Sequence, residues 1–169
     1  EAAGPDYVGV NFDSGNACWT LEDPVEALAI LAPHVLTTSL RDTMVWNSPD
    51  GVTTQWTAMG EGCTDLPAFF DHFEKSCPGV AAHIETISGF PRTIPLYQRD
   101  FWRSYPDARA SDLAAFMSLT RTGRPIEPFS VPPGESRPQA DQEYQLAELE
   151  RSIRHCHEVL GLGIKSRAT

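Results

Sequence analysis

No stretch of the chain approaches the roughly 18 to 20 consecutive apolar residues that a bilayer-spanning helix needs, so a membrane partner is not expected. Positive charge is also scarce, with 13 Lys and Arg against 23 Asp and Glu and a formal net charge of -10. A field of that sign repels polyanions, which argues against nucleic-acid binding. Cysteine is sparse: Cys18, Cys63, Cys77 and Cys156 form no CxxC pair and share no regular spacing, which argues against a zinc ribbon, a redox motif or a disulfide framework. Four reduced thiols in a cytoplasmic protein are the expectation. The opening Glu1-Ala2-Ala3-Gly4-Pro5 lacks the basic and apolar regions of a secretory signal and does not begin with Met, so a piece of a longer protein is expected.

What remains is ordinary globular composition, 41% hydrophobic and 21% charged, which leaves collagen-like and low-complexity classes aside. The 169 residues suit a single domain. A complete eight-stranded α/β barrel takes about 250.

Residues 7–13 are β-rich without clean alternation, as in a strand covered on both faces, and end in the polar turn Ser14-Gly15-Asn16. Asp23-Pro24 opens a helix, with Asp23 as N-cap, Pro24 in the first turn and Glu26 placed for a capping box. Pro33 stops it. Residues 35–40 form a second strand, with Arg41-Asp42-Thr43 at its C-terminal end. A hairpin excursion follows at about 44–59, turning at Asn47-Ser48-Pro49-Asp50-Gly51. Thr64 or Asp65 caps the next helix, whose apolar line is Leu66, Phe69, Phe70, Phe73 and Cys77, and residues 80–87 read as a third strand. The pattern β-α-β-α-β with long crossovers calls for parallel neighbours in one sheet.

Beyond residue 88 the character changes. Residues 89–123 read as a helical segment, including a short aromatic-rich helix within 96–105 and a helix capped by Ser111. Residues 124–138 hold Pro125, Pro128, Pro132, Pro133 and Pro138 and read as an extended crossing. A C-terminal helix over 139–162 carries the stripe Leu146, Leu149, Ile153, Cys156 and Leu160, which suits packing on its own domain or a dimer seam.

In parallel α/β sheets ligands gather outside the carboxyl ends of the strands. Asp13 with Asn16, Ser39 with Asp42, and Glu85 stand at those ends. Carboxylates and neutral oxygens converging on one rim suit a hard divalent cation such as Mg²⁺ or Mn²⁺. The plainer alternative is that Asp13 and Asp42 satisfy backbone N–H groups in turns. Glu85, within His83-Ile84-Glu85-Thr86-Ile87, needs a partner to be buried at all. Arg41 suits a substrate phosphate or carboxylate, or equally a pair with Asp42. Trp46, Trp56, Phe101 and Trp102 suit either an apolar wall over a sugar or ordinary packing.

Phe12-Asp13-Ser14-Gly15-Asn16, Ser39-Leu40-Arg41-Asp42-Thr43, Gly60-Glu61-Gly62 and Ile84-Glu85, in that order, resemble the C-terminal half of the sugar phosphate isomerase/epimerase group of xylose isomerase-like barrels. The resemblance covers roughly residues 7–160. It implies a parallel βαβαβ partial TIM barrel, with strands equivalent to the sixth, seventh and eighth and a helical C-terminal extension. It implies a divalent metal (Mn²⁺, Mg²⁺, Co²⁺ or Zn²⁺) with Asp13 and Glu85 as ligands and Ser39 at the usual His position, where a hydroxyl binds far more weakly than imidazole. Glu85 is also the implied acid/base, and Asn16, Arg41 and Asp42 the implied substrate contacts.

The implied activity is isomerisation or epimerisation of a sugar or sugar phosphate through an enediolate. A fifth-strand Glu has no counterpart here, so the site is expected to be incomplete. The metal-dependent apurinic endonucleases of the same superfamily carry extra His and Asp ligands where this chain has Thr54-Gln55-Trp56-Thr57. Three parallel strands leave open edges, which predicts a homodimer or a missing N-terminal half. A non-catalytic half-barrel that binds carbohydrate or assembles with a partner is the alternative.

Overall fold

The structure, a computed structural model, describes residues 8–163. Tyr7, at the start of the first expected strand, lies outside them. The architecture is mixed α/β, with a parallel two-stranded sheet and an antiparallel three-stranded one.

Strand β1 (Val10–Phe12) pairs in parallel with β2 (Val35–Thr38), with Asn11 opposite Thr37 and Phe12 opposite Thr38. The crossover holds helix α1 (Ser14–Trp19), formed where the sequence suggests only a polar turn, and helix α2 (Pro24–Leu31). Asp13 and Asp23 cap the two helices through their carboxylates, which accept otherwise orphaned backbone N–H groups. Pro33 sits in a 3-10 turn (Ala32–His34) that hands the chain to β2.

The third strand expected over residues 80–87 does not form. A single parallel bridge joins Leu40 to Ile84, with Leu40 N donating to the His83 carbonyl and Glu85 N to the Leu40 carbonyl. Just before it the Thr38 hydroxyl interrupts the ladder, donating to the Ala81 carbonyl and accepting from His83 N. Residues 81–83 are exposed, so their side chains gain little from a pleated surface, and strand propensity rests largely on such packing.

The hairpin excursion is present as β3 (Asp42–Ser48) and β4 (Gly51–Thr57), in register from Asp42 opposite Thr57 to Ser48 opposite Gly51. A further strand, β5 (Pro91–Ile94), pairs with the other side of β4 inside the segment expected to be helical. Pro91 is tolerated because it opens a strand at the sheet edge. Gly51 has a φ of 147° and no room for a side chain, since a Cβ there would lie 2.3 Å from the Ile94 carbonyl oxygen.

Helix α3 (Leu66–Ser76), capped by Asp65, buries Leu66, Phe69, Phe70 and Phe73 against α2 and the parallel strands. Phe12, Leu28, Leu40 and Met59 complete that core, and the Phe12 and Phe69 rings lie 5.8 Å apart. A second core joins Val45 and Val52 to Ile94, Phe116 and Leu119, with Phe101, Trp102 and Tyr105 packed against it. The short aromatic helix is a 3-10 turn (Phe101–Ser104), and α4 (Ala110–Ser118) starts after Arg109 rather than at a Ser111 cap. The Ser111 hydroxyl bonds the neighbouring Asp112 instead.

Helix α5 (Arg137–Glu158) keeps only part of the expected stripe: Cys156, and Leu160 just past the helix, pack against the first core. Leu146 and Ile153 are exposed, while Ala140, Glu148 and Ser152 are buried. The two polar residues turn inward because they meet polar groups there: the Ser152 hydroxyl accepts from Met59 N at 3.1 Å, and Glu148 accepts from the Ser88 hydroxyl. Among the described residues no helix is long and apolar enough to cross a membrane.

Candidate functional site

Successive residues of a strand face opposite sides, and the two sides of the parallel pair differ in chemistry. Phe12, Thr38 and Leu40 are buried toward the helices, whereas Asn11, Thr37 and Ser39 are not. Just past the strand ends on that second side, Asp13, Arg41 and Glu85 meet.

Arg41 is the centre of the cluster and is only 4% exposed. Its Nη2 donates to Asp13 Oδ2 at 2.7 Å and to Glu85 Oε2, and its Nη1 donates to the Ile87 carbonyl at 3.2 Å. The guanidinium carbon lies 4.0 Å from the centre of the Trp56 ring. Trp56 in turn stacks on Trp19 at 3.9 Å and 9°, and the Arg92 guanidinium lies 4.7 Å from the Trp19 ring. Cation–π attraction and stacking therefore hold the Arg41 plane from the side, while the carboxylates hold it in plane.

The sequence around Asp13 builds this geometry locally. Asp13 Oδ1 caps α1 by accepting from Gly15 N and Asn16 N, both at 3.0 Å, and Oδ2 accepts from Asn16 Nδ2 at 2.7 Å as well as from Arg41. The Ser14 hydroxyl donates to the Arg41 carbonyl at 2.6 Å and accepts from Arg41 N at 3.0 Å. Gly15 lets α1 approach, because a Cβ there would stand 2.5 Å from Arg41 Cγ and 2.6 Å from Trp56 Nε1.

The remaining candidates are placed differently. Ser39 Oγ accepts from Asn11 Nδ2 at 3.2 Å on the same face, outside the ion-pair cluster. Asn16 joins the cluster only through Asp13. Asp42, expected to touch substrate, is a buried clasp: its oxygens accept from the backbone N–H groups of Thr43, Gly60, Gly62 and Thr64 at 2.8 to 3.2 Å. Burial pushes its carboxyl above the usual range, against the pull of those donors. The clasp shapes the Gly60-Glu61-Gly62 turn, whose Glu61 accepts from Arg151 Nε of α5 at 2.6 Å. Of the aromatic candidates only Trp56 reaches Arg41, while Trp102 donates from Nε1 to the Leu96 carbonyl within the second core.

The sequence reading assigns Ser14, Gly15 and Trp19 no role in the site. The signal was present, since an Asp immediately before Ser-Gly-Asn is also an N-cap pattern, and it is the resulting helix that aims Trp19 at Trp56.

Among the described residues no group of three or more His, Cys, Asp or Glu side chains could hold a metal ion. Asp13 and Glu85 do converge on one atom, but that atom is Arg41 Nη2. Two carboxylates already ion-paired to one guanidinium do not by themselves fit the six-or-more oxygen shell of a hard divalent cation.

Fold and site thus define a mixed α/β protein whose buried, aromatic-stacked ion-pair cluster lies at the carboxyl ends of a parallel strand pair. Compared with protein-family models, with curated proteins and with solved structures, the chain matches none.

Proposed function

We propose that the chain is the C-terminal part of an isomerase or epimerase barrel acting on a sugar or sugar phosphate through an enediolate. What supports this reading above all is the convergence of Asp13, Arg41 and Glu85 at one rim, from the ends of β1, of β2 and of the segment bridged to it. In a partial TIM barrel, β1, β2 and residues 80–87 are the sixth, seventh and eighth strand positions, and the polar side carrying Asn11, Thr37 and Ser39 is the barrel interior. The four free thiols are the ground for placing it in the cytoplasm.

Glu85 is the group for proton transfer, since it is the more exposed carboxylate of the cluster, at 33% of its side chain against 10% for Asp13. It takes the proton from the carbon beside a carbonyl; the C–H electron pair becomes the enediolate double bond, and the carbonyl oxygen gains negative charge. Arg41, held rigidly by Trp56 and Asp13, offers N–H donors and positive charge to that oxygen. Returning the proton from Glu85 to the former carbonyl carbon, while the hydroxyl proton of the first carbon passes to the former carbonyl oxygen so that the first carbon becomes the new carbonyl, completes an isomerisation. Epimerisation takes a second base on the opposite face. A divalent metal (Mn²⁺, Mg²⁺, Co²⁺ or Zn²⁺) belongs to this reading only with ligands added to Asp13 and Glu85, from a missing N-terminal half or from a second copy of the chain.

The second reading, a non-catalytic half-barrel that binds carbohydrate or assembles with a partner, is favoured by Arg41 closing both carboxylates into ion pairs. One experiment separates the two. The protein is incubated in D₂O with ketoses and ketose phosphates, with and without Mn²⁺ or Mg²⁺, and deuterium entry beside the carbonyl is followed by NMR. Exchange that Glu85→Gln abolishes is the expected result. Sugar binding without exchange in any combination supports the non-catalytic reading, and neither binding nor exchange sinks both.

A further inference from the structure

Past the bridge at Ile84, residues 86–88 join no ladder, and Ile87 is exposed. Side chains hold this stretch at both ends. Arg41 donates to the Glu85 carboxylate and, from Nη1, to the Ile87 carbonyl at 3.2 Å, while the Ser88 hydroxyl donates to Glu148 Oε2 of α5. Ser88 is 5% exposed and Glu148 2%, so the second anchor lies in the interior. Gly89 then turns the chain at a φ of 89°, and its carbonyl accepts from Phe129 N at 2.7 Å.

Glu148 is itself held in one orientation. Its Oε1 accepts from the Tyr144 hydroxyl at 3.0 Å, one helical turn away, so both carboxyl oxygens are engaged and Oε2 is the one presented to Ser88. Arg151 stands 3.7 Å from Oε1 but is bonded to Glu61 at 2.6 Å. The link onward from Ser88 is covalent and stiff. The Ile87 carbonyl and Ser88 Cα belong to one planar peptide unit, so a shift of Ser88 swings the oxygen that Arg41 grips. Misplacing a reacting group by about 1 Å can slow a reaction about a hundredfold.

We propose that Glu148 is a positioning residue for the Arg41 cluster: by holding the Ser88 hydroxyl it fixes the peptide plane between Ile87 and Ser88, and with it the seats of Arg41 and Glu85. The effect on proton transfer rests on the enzymatic reading above, whereas the effect on the geometry of Arg41 does not.

Two readouts on the full chain test it: the guanidinium N–H resonances of Arg41 by NMR, and Glu85-dependent deuterium entry into D-fructose, D-xylulose or their phosphates. Ser88→Ala cuts the link. Tyr144→Phe takes the other hydroxyl from the same carboxylate and leaves Ser88 in place, so it controls for lost stability. Ser88→Ala is expected to shift the Arg41 resonances and to lower kcat for deuterium entry about tenfold with KM unchanged, since orientation rather than binding is lost. Tyr144→Phe is expected to do neither. Glu148→Gln keeps an acceptor for Ser88 and is expected to retain both the rate and the resonances, whereas Glu148→Leu behaves as Ser88→Ala does. Circular dichroism checks that each variant folds; Ser88→Ala deletes a single hydroxyl, so its result decides if Glu148→Leu does not fold. Unmoved Arg41 resonances or an unchanged rate in Ser88→Ala, or equal effects in Tyr144→Phe, overturn the proposal and leave the enzymatic reading standing. If wild type shows no Glu85-dependent exchange while Ser88→Ala still shifts the Arg41 resonances, the enzymatic reading fails and the positioning of Arg41 by Glu148 stands.

Discussion

The guanidinium of Arg41 lies 4.0 Å from the centre of the Trp56 ring while its Nη2 bridges Asp13 and Glu85. One buried cation therefore ties the parallel strand pair to the antiparallel sheet, because Arg41 follows β2 and Trp56 belongs to β4.

Replacing Arg41 by Met keeps much of the stacking volume but leaves two carboxylates facing each other without a cation. Breaking a buried pair from one side costs about 3 to 5 kcal/mol, and partial exposure of Glu85 moves the expected loss toward about 2 to 3 kcal/mol. Urea unfolding followed by tryptophan fluorescence measures it. The same variant is expected to bind Mn²⁺ more tightly than wild type in calorimetry, since the carboxylates then lack their internal counter-ion; equal affinity would mean they are not facing one another.

Gly15→Ala places a Cβ 2.5 Å from Arg41 Cγ and 2.6 Å from Trp56 Nε1. Overpacking of this kind costs about 1 to 3 kcal/mol. A thermal unfolding midpoint unchanged from wild type would show that α1 does not press on Arg41.

Asp42→Asn exchanges an acceptor of four backbone N–H groups for a side chain that has one acceptor oxygen and an NH₂ aimed at donors. The expected loss is about 2 to 4 kcal/mol. Hydrogen exchange should quicken at Gly60, Gly62 and Thr64 before it does in β4. Uniform quickening across β3 and β4 would mean that the clasp holds the whole sheet rather than the turn.

Glu148 gives the stability a pH dependence of definite sign. Burial pushes its carboxyl from 4.5 to about 7, so between those values the folded state holds a proton that the unfolded chain has released. Stability from this group is therefore greatest below pH 4.5, falls as pH rises through that window and levels off above about 7. The total is about 3 kcal/mol at most, at 1.36 kcal/mol per pH unit. The upward shift of Asp42 acts in the same direction. Unfolding midpoints between pH 5 and 8 should decline in wild type and flatten in Glu148→Gln; parallel curves would move the dependence elsewhere.

Features set by neighbours in the chain were legible without coordinates. Asp23 before Pro24 announces α2, the turn residues around Pro49-Asp50-Gly51 announce the β3–β4 hairpin, and the spacing of Leu66, Phe69, Phe70 and Phe73 announces α3. Each rests on capping, turn geometry or periodicity within a few residues. Asp13, Arg41 and Glu85 could likewise be named as strand-end residues.

What they do to one another could not. The apolar line of α5 through Leu146 and Ile153 has helical spacing, yet the helix turns Glu148 and Ser152 inward, because the backbone at Met59 and the Ser88 hydroxyl need partners that only a distant segment supplies. Residues 80–87 have strand composition but form one bridge, since ladder formation depends on neighbours rather than on the segment itself. Local residue order thus determined where α2 and α3 begin, where the hairpin turns and which side chains reach the strand ends. Only the tertiary structure decided that the cation between Asp13 and Glu85 is Arg41, and that Asp42 serves the backbone, because the pairing of buried charge and of buried N–H groups is settled between segments far apart in the chain.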